Sequence, residues 1–466
     1  MARFSGLFSK RRHALSSILG RGVIFLVALG GQAVHGQTPV AVPPPGEQFA
    51  TLNKKIHGSA TCMTANCHDA PQASPADKRP GNEYKTWAEK DPHRWTFDAL
   101  GEPLDAKFKD RYAAIGKNLK IDDPKKSESC LKCHAVNVPA ALQGDKFELA
   151  EGATCAACHG PADSWFKPHQ EVGWFDKQRQ AAAYDSVDAS KSTQRAGAAP
   201  HTKLLKDLGF YDTRPLAARA EKCTSCHLAI DPKLVEAGHP QPIFELAFFS
   251  RFGNFEAQYG ADVKLANHWR DKPGIFSAQL WSAGQVVSLR DAMLQLAARS
   301  ESGASGKSIT EAYQQAMSHL LAMGQFLKTA SIEPAQAAAL SAAGAKLAPF
   351  KAGKADAGAA AAAKEIATIA GALIDPMIKF APTADSAKAL LLAFAKDATM
   401  VEASGHHGAA QQAMAIASMQ RAAGGDEAQA KLIADKLLGV LRIHPEEFKA
   451  AEFAKAVGEV RAGLGG

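Results

Sequence analysis

The eight cysteines of the 466-residue chain fall into four short motifs, and a histidine directly follows the second cysteine of each motif. Three motifs have the spacing C-x-x-C-H, and the first has four spacer residues. The cysteine pairs are Cys62 and Cys67, Cys130 and Cys133, Cys155 and Cys158, and Cys223 and Cys226, and the histidines that follow them are His68, His134, His159 and His227. C-x-x-C-H is the attachment signature of c-type haem. The motifs therefore predict four covalently bound haem c groups.

The chemistry of attachment explains this spacing. Two cysteine thiols add to the two vinyl groups on one edge of the porphyrin and form thioether bonds. The next residue then lies beneath the ring, where its imidazole reaches the iron. In the longer first motif the spacer between Cys62 and Cys67 has to bulge outward, while the final Cys-His pair keeps its geometry. The four motif histidines are thus the predicted proximal ligands of the irons.

Paired cysteines have two other common uses in proteins. They hold structural zinc ions, and in exported proteins they form disulfide frameworks. Neither use needs a histidine directly after the second cysteine, whereas all four motifs have one. The pattern therefore favours haem attachment over both alternatives.

The ligand on the other face of each iron is methionine or histidine in most cytochromes. Between residues 37 and 275 the only methionine is Met63, which lies inside the first motif. Six histidines in this region remain outside the motifs, namely His57, His93, His169, His201, His239 and His268. We therefore expect bis-histidine ligation, with reduction potentials that are low relative to those of His/Met haems.

The first 36 residues have the features of a secretory signal. A basic segment is followed by the short apolar run Val23–Leu29 and by small residues at positions 34 and 36, before Gln37. The apolar run is shorter than the roughly 20 residues that span a bilayer. The sequence predicts a cleaved signal peptide over 1–36, a periplasmic or otherwise exported protein, and no transmembrane segment in the mature chain.

The net charge of +7 comes mostly from this segment. Residues 1–36 contain five basic and no acidic residues, and the remainder has 49 basic against 47 acidic residues, a net charge of +2. Charge therefore indicates no nucleic-acid partner. We expect redox partner proteins, a donor and an acceptor that the sequence does not identify.

Composition divides the rest of the chain at about residue 275. Residues 37–275 hold every cysteine and are rich in Gly, Pro, Lys and Asp, which predicts a tetrahaem cytochrome c domain of short helices and loops. Residues 276–466 are rich in alanine, have no cysteine and show helical periodicity, which predicts a separate α-helical bundle. The expected fold class is mainly α.

Eight helices are expected in the second region, separated by glycine and proline breaks that include Pro376 and Gly405. Their predicted ranges are Ser277–Arg299, Thr310–Lys328, Pro334–Lys346, Ala357–Ile374, Ala384–Ala403, Gly408–Ala422, Glu427–Leu441 and Glu446–Leu464. Its four histidines, His319, His406, His407 and His444, are expected to face solvent.

The order of motifs over roughly residues 50–245 resembles a known family. The matching pieces are Trp87 to His93, the second motif, the run Gly152–Pro161 that contains Cys155-Ala156-Ala157-Cys158-His159-Gly160-Pro161, His169, and the fourth motif. They are similar to the tetrahaem cytochrome c family whose best-known members carry electrons from hydroxylamine oxidation in ammonia-oxidising bacteria. The region after 275 has no counterpart in the small carriers.

The resemblance implies a set of distal iron ligands. By the family pattern, His169 would pair with His68, His93 with His227, and His239 with His159. The iron of His134 would lack a sixth ligand, as the second haem does in the small carriers. His57 lies upstream of the first motif, where those carriers have no equivalent. We expect His57 to be the sixth ligand of the iron bound by His134.

Electron transfer is therefore the expected function, with the chain more a carrier than an enzyme. Two alternatives stay open at this stage. An open iron at His134 would suit an oxidoreductase acting on a small nitrogen compound, and the helical region would suit a haem subunit that docks in a larger redox complex.

Overall fold

A computed structural model describes most of the chain after residue 48. The described residues are Phe49, 51–63, 68–69, 81, 83–101, 109–171, 173–174, 177, 199–251, 274–350, 356–396 and 398–465. The expected signal peptide, Cys67 and His268 lie outside them, as does the side chain of His201.

The described residues form a mainly α fold, which confirms the expected fold class. They contain 16 helices and no strand; the one isolated bridge pairs Ile56 with Gln143. The helices are α1 Glu83–Lys90, α2 Lys109–Leu119, α3 Glu128–His134, α4 Cys155–His159, α5 Ala199–Leu208, α6 Leu216–His227, α7 Pro232–Glu236, α8 Leu246–Arg251, α9 Phe276–Glu301, α10 Lys307–Ala330, α11 Pro334–Leu347, α12 Ala357–Lys379, α13 Ala384–Lys396, α14 Thr399–Ala422, α15 Glu427–Leu437 and α16 Ala450–Gly463.

Helices α1–α8 are short, and each standard motif forms the end of one of them. α3, α4 and α6 terminate at His134, His159 and His227. In a helical turn the two cysteines, three residues apart, lie on one face and the histidine follows at the helix end. The helices thus position the motif side chains, and 3₁₀ turns such as Ser59–Thr61 and Pro168–Gln170 connect them.

The region after residue 275 contains the eight helices that its periodicity predicts, α9–α16. The largest differences from expectation lie at two of the predicted breaks. Pro376 does not end a helix, because α12 continues through it to Lys379. The helix expected over 384–403 ends at Lys396, and α14 then begins at Thr399 and bends at Gly405, whose φ of 54° and ψ of −129° interrupt the helical geometry. A residue at positive φ favours glycine, so the predicted break becomes a kink.

The haem-motif region and the bundle share one hydrophobic core. Leu216, Leu228, Phe244, Leu246 and Phe248 belong to the same buried cluster as the interiors of α9–α16. Helix α6 packs along α9, and the segment 241–248 also contacts α10 and α14. All of these elements fall within one compact unit, Thr38–Gly466. The division into domains at 275 stays a prediction.

Buried charges reinforce the contact between α6 and α9. The Arg290 guanidinium donates to the Glu221 carboxylate at 2.9 Å, and the Thr224 hydroxyl donates to Asp291 at 2.6 Å. Arg290 also donates to Asp291 at 2.8 Å. These side chains are at most 7% exposed. The helix that carries the fourth motif is therefore fixed to the bundle by apolar and ionic contacts together.

The expectation that the four bundle histidines face solvent was wrong. His319, His406, His407 and His444 are 0%, 5%, 2% and 5% exposed. The sequence around His406 and His407 consists largely of Ala, Gly and Ser, so it shows little contrast between a buried and an exposed helix face. Burial lowers the pKa of His319 and of His407 to about 3, because each charged imidazole would lose its hydration.

One described helix, α12, is long and apolar enough to cross a membrane by length and composition alone. In its most apolar window 44% of the residues are buried within the protein, and the helix packs along α9 and α11. Core helices of globular proteins pass the same test. The finding therefore leaves unchanged the expectation that the mature chain has no transmembrane segment.

Candidate haem-binding centre

The third motif shows how closely the local backbone is specified. Gly160 directly follows His159 and has φ 78° and ψ −178°, a conformation almost restricted to glycine. A Cβ atom at this position would lie 2.2 Å from the carbonyl oxygen of Gly209. The neighbouring Tyr211 N–H donates to the His159 carbonyl at 2.9 Å. Close packing of these two segments therefore holds the end of α4.

The cysteines of different motifs lie close together. The side chains of Cys62 and Cys155 interact, which lowers the pKa of Cys62 and relates the first motif to the third. The neighbouring Cys133 lowers the pKa of Cys226 to about 7, which relates the second motif to the fourth. Cys158 and Cys223 interact electrostatically, which joins the third and fourth. None of the seven described cysteines forms a disulfide.

His68 and His169 form the first of two histidine pairs. Their ring centroids are 6.3 Å apart and their planes differ by 10°. A metal–imidazole bond is about 2 Å long, so two imidazoles on opposite faces of one iron have centroids about 6 Å apart. The pair therefore fits the axial ligands of a haem, and the residues are the two that the family resemblance implies.

His93 and His227 form the second pair. Their centroids are 6.1 Å apart, at the same axial spacing, but their planes are nearly perpendicular at 88°. Phe244 and Phe249 pack against His227 with centroids 5.2 and 5.5 Å away. This combination of axial spacing and apolar surroundings also fits a haem.

His239 interacts electrostatically with His134. The resemblance implies His159 as its partner, and that pairing stays a prediction. Asn118 on α2 donates to the Ala237 carbonyl at 3.0 Å and holds the turn that carries His239. The path of the chain after α7 therefore leads towards the second motif.

Hydrogen bonds at Nδ1 prepare most of these histidines as metal ligands. Nδ1 faces an oxygen in His68 (Glu83, 3.2 Å), His93 (Asp91, 2.8 Å), His134 (Thr96, 2.8 Å), His169 (Trp165, 3.1 Å) and His239 (Pro240, 2.7 Å). An Nδ1–H that donates to such an oxygen leaves the lone pair on Nε2, and this second contact orients metal-binding histidines.

His57 has the opposite arrangement. Its Nδ1 accepts a hydrogen bond from the Asp145 N–H at 3.1 Å, and its Nε2 lies 3.7 Å from a carboxylate oxygen of Asp163. In the neutral ring the proton is then on Nε2 and faces the carboxylate. Neither nitrogen of His57 presents a lone pair to an iron, although the sequence made it a candidate ligand.

His159 is adjacent to aromatic side chains. The Phe210 ring is parallel to its imidazole within 3°, with centroids 6.4 Å apart, and Trp165 and Trp174 pack on Phe210.

Burial keeps three of the imidazoles neutral. It lowers the pKa of His227 and of His239 to about 4 and also lowers that of His134. A metal requires the neutral imidazole, so desolvation favours the form that binds iron. His93 differs, because the nearby Asp91 carboxylate raises its pKa. Among the described residues no group of three or more His, Cys, Asp or Glu side chains converges as a metal-ion site, the arrangement that structural zinc would need.

The motifs, the axial spacing of two histidine pairs and the short motif-bearing helices define a c-type cytochrome. A family model described as "Cytochrome c554 and c-prime" matches residues 61–160, which is 100 of the 466 residues and includes the first three motifs. The match supports a cytochrome c that binds haem covalently and transfers electrons. No curated protein and no solved structure matches the chain.

Several residues around the motifs were not anticipated from the sequence. Lys222, Arg219 and Glu221 are successive charged residues of α6, and all are at most 5% exposed. Charged residues on a short helix ordinarily indicate a solvated face, so the sequence carries no sign of their burial. Their neighbour Cys223 is the only available hint, because it places them beside a cofactor.

Proposed function

We propose that the chain is an exported, periplasmic tetrahaem cytochrome that transfers electrons through four closely packed haems, most of them bis-histidine ligated. The observation that carries the proposal is the axial spacing of the His68–His169 and His93–His227 pairs. The haem irons would supply the one-electron chemistry, and the residues of the chain fix spacing, ligation and surroundings. Export rests on the signal-like first 36 residues.

Contacts between attachment cysteines suggest the order of the path. Thioether sulfurs lie at porphyrin edges, so neighbouring cysteines of two motifs bring two edges together. Cys62 interacts with Cys155, Cys158 with Cys223, and Cys226 with Cys133. We propose that electrons pass along the sites of His68, His159, His227 and His134 in this sequence. We also propose His239 as the second ligand at the site of His134.

Mass spectrometry and electron paramagnetic resonance test the proposal. The denatured mature protein should have the mass of the chain from residue 37 plus four haems. Parallel imidazole planes split the iron d orbitals more than perpendicular planes do, so the His68–His169 site should give a rhombic low-spin signal and the His93–His227 site a highly anisotropic one. A haem-free protein would refute the proposal, and high-spin iron at both sites would refute the ligation.

A further inference from the structure

Buried charged side chains lie on two different sides of helix α6. Glu221 faces the bundle, where it accepts a hydrogen bond from Arg290 at 2.9 Å. Lys222 faces the haem motifs, with its ammonium nitrogen 4.3 Å from the ring centroid of Tyr211 and 4.9 Å from that of Phe49. Lys222 is 5% exposed, and both rings are fully buried. Two aromatic faces therefore hold a cation inside the protein.

This cation lies between the third and fourth motifs. Lys222 directly precedes Cys223 in the chain. The Lys222 ammonium group lies over the ring of Tyr211. The Tyr211 N–H donates a hydrogen bond to the His159 carbonyl at 2.9 Å, and its hydroxyl donates one to the Ala218 carbonyl at 3.0 Å. The Lys222 charge also interacts with Cys158 and Cys226.

The surroundings of Lys222 stabilise its charged form. Burial lowers the pKa of Lys222, and the Glu221 carboxylate opposes that shift. The faces of Tyr211 and Phe49 also attract the ammonium group. Because the site is buried, salt screens this charge less than it would a surface lysine, and its field extends further in the low dielectric of the interior.

We propose that Lys222 is a positioning residue for electron transfer, a fixed positive charge that makes the haem sites of His159 and His227 easier to reduce. The inference rests on the proposed function. Reduction removes one positive charge from an iron site, and a neighbouring cation repels the reduced state less than the oxidised state. The middle of the proposed path would thus receive electrons more readily than its ends.

The substitution Lys222→Met in the full-length haem-loaded protein tests this inference. Methionine keeps the length of the side chain and removes the charge, so folding is favoured by the loss of a buried cation. Spectroelectrochemical titration should show two of four components harder to reduce, by about tenfold in the one-electron equilibrium constant, which corresponds to about 59 mV. Lys222→Arg, which keeps the charge, should leave both near their original potentials.

Lys233→Met provides the matched control. The substitution removes the same charge from an exposed position on α7, where water and salt screen it. It should leave all four components unchanged. Equal shifts in the two methionine variants, or none in Lys222→Met, would overturn the inference. Loss of haem in Lys222→Met alone, counted by mass spectrometry, would also overturn it, since Lys222 would then serve attachment. Absence of haem in the unsubstituted protein would instead refute the proposed function.

Discussion

The Arg290 guanidinium on α9 donates a hydrogen bond to the Glu221 carboxylate on α6 at 2.9 Å, and both side chains are almost completely buried. This contact connects the first helix of the bundle to the helix that ends in the fourth motif. Asp291 and Thr224 extend it to four residues. The bundle therefore touches the electron-transfer region through a charged network as well as through apolar packing.

Removal of one member of this network should lower the free energy of unfolding. Arg290→Met would leave Glu221 and Asp291 buried without their cation, and we expect a loss of about 3–5 kcal/mol in the free energy of unfolding. Chemical denaturation followed by circular dichroism measures it. Lys346→Met, which breaks an exposed ion pair with Glu365, is the control and should change stability little. Equal stabilities of the two variants would show that the buried network contributes nothing.

Gly160→Ala should impair the third motif. The substitution adds a Cβ atom at a positive φ and 2.2 Å from the Gly209 carbonyl oxygen, so α4 has to shift. We expect partial loss of the third haem or a loss of several kcal/mol in stability. Gly173→Ala is the matched control for backbone strain. Gly173 has φ 75°, but no heavy atom of the described residues lies within 4 Å of the added Cβ. A full haem complement and unchanged melting in Gly160→Ala would contradict the close packing.

His169→Gly and His57→Ala should behave differently. His169 stands at the axial distance from His68, so its loss should convert one low-spin haem to high spin without loss of covalent haem. His57 accepts the Asp145 N–H at Nδ1, so its loss should leave the spin states unchanged. Electron paramagnetic resonance of both variants measures this. A new high-spin signal in His57→Ala would make it an iron ligand, as expected from the sequence.

His319→Met should stabilise the protein at neutral pH. Neither ring nitrogen of His319 has a hydrogen-bond partner among the described residues, so replacement by an apolar side chain of similar volume should add about 1–2 kcal/mol. Urea titration at pH 7.5 measures the gain. His319→Gln, which keeps a polar group at the same place, should lack it. Destabilisation by methionine at this pH would indicate that the imidazole is satisfied.

The same residue should make the protein sensitive to acid. The pKa of His319 is about 3 in the folded protein and about 6.5 in the unfolded chain, so the unfolded chain binds the proton first as pH falls. Stability conferred above pH 6.5 is lost progressively towards pH 3, by about 2 kcal/mol between pH 6.5 and 4.5. Both His319 variants should lose this part of the pH dependence. An unchanged pH profile would contradict the low pKa.

The parts of the molecule that follow from local sequence were predictable. The eight helices after residue 275 follow from alanine-rich periodicity with glycine and proline breaks, and the motif cysteines and proximal histidines follow from fixed spacing. Pro376 was misjudged because a helix that packs along α9 and α11 tolerates a local break in its hydrogen bonding. The neighbours of His239, His57 and Lys222 depend on how distant segments meet, which local spacing does not encode.

The interactions of Cys62 with Cys155, and of Cys133 with Cys226, bear on how the protein would be made. Each pair belongs to two motifs that are distant in sequence, so the thiols approach each other only as the chain folds. In the proposed oxidising compartment, neighbouring thiols would be able to form a disulfide, and a cross-linked pair would have no sulfur left for a porphyrin. Maturation would therefore depend on timing, with the thioether bonds made on the extended chain before folding brings the sulfurs together.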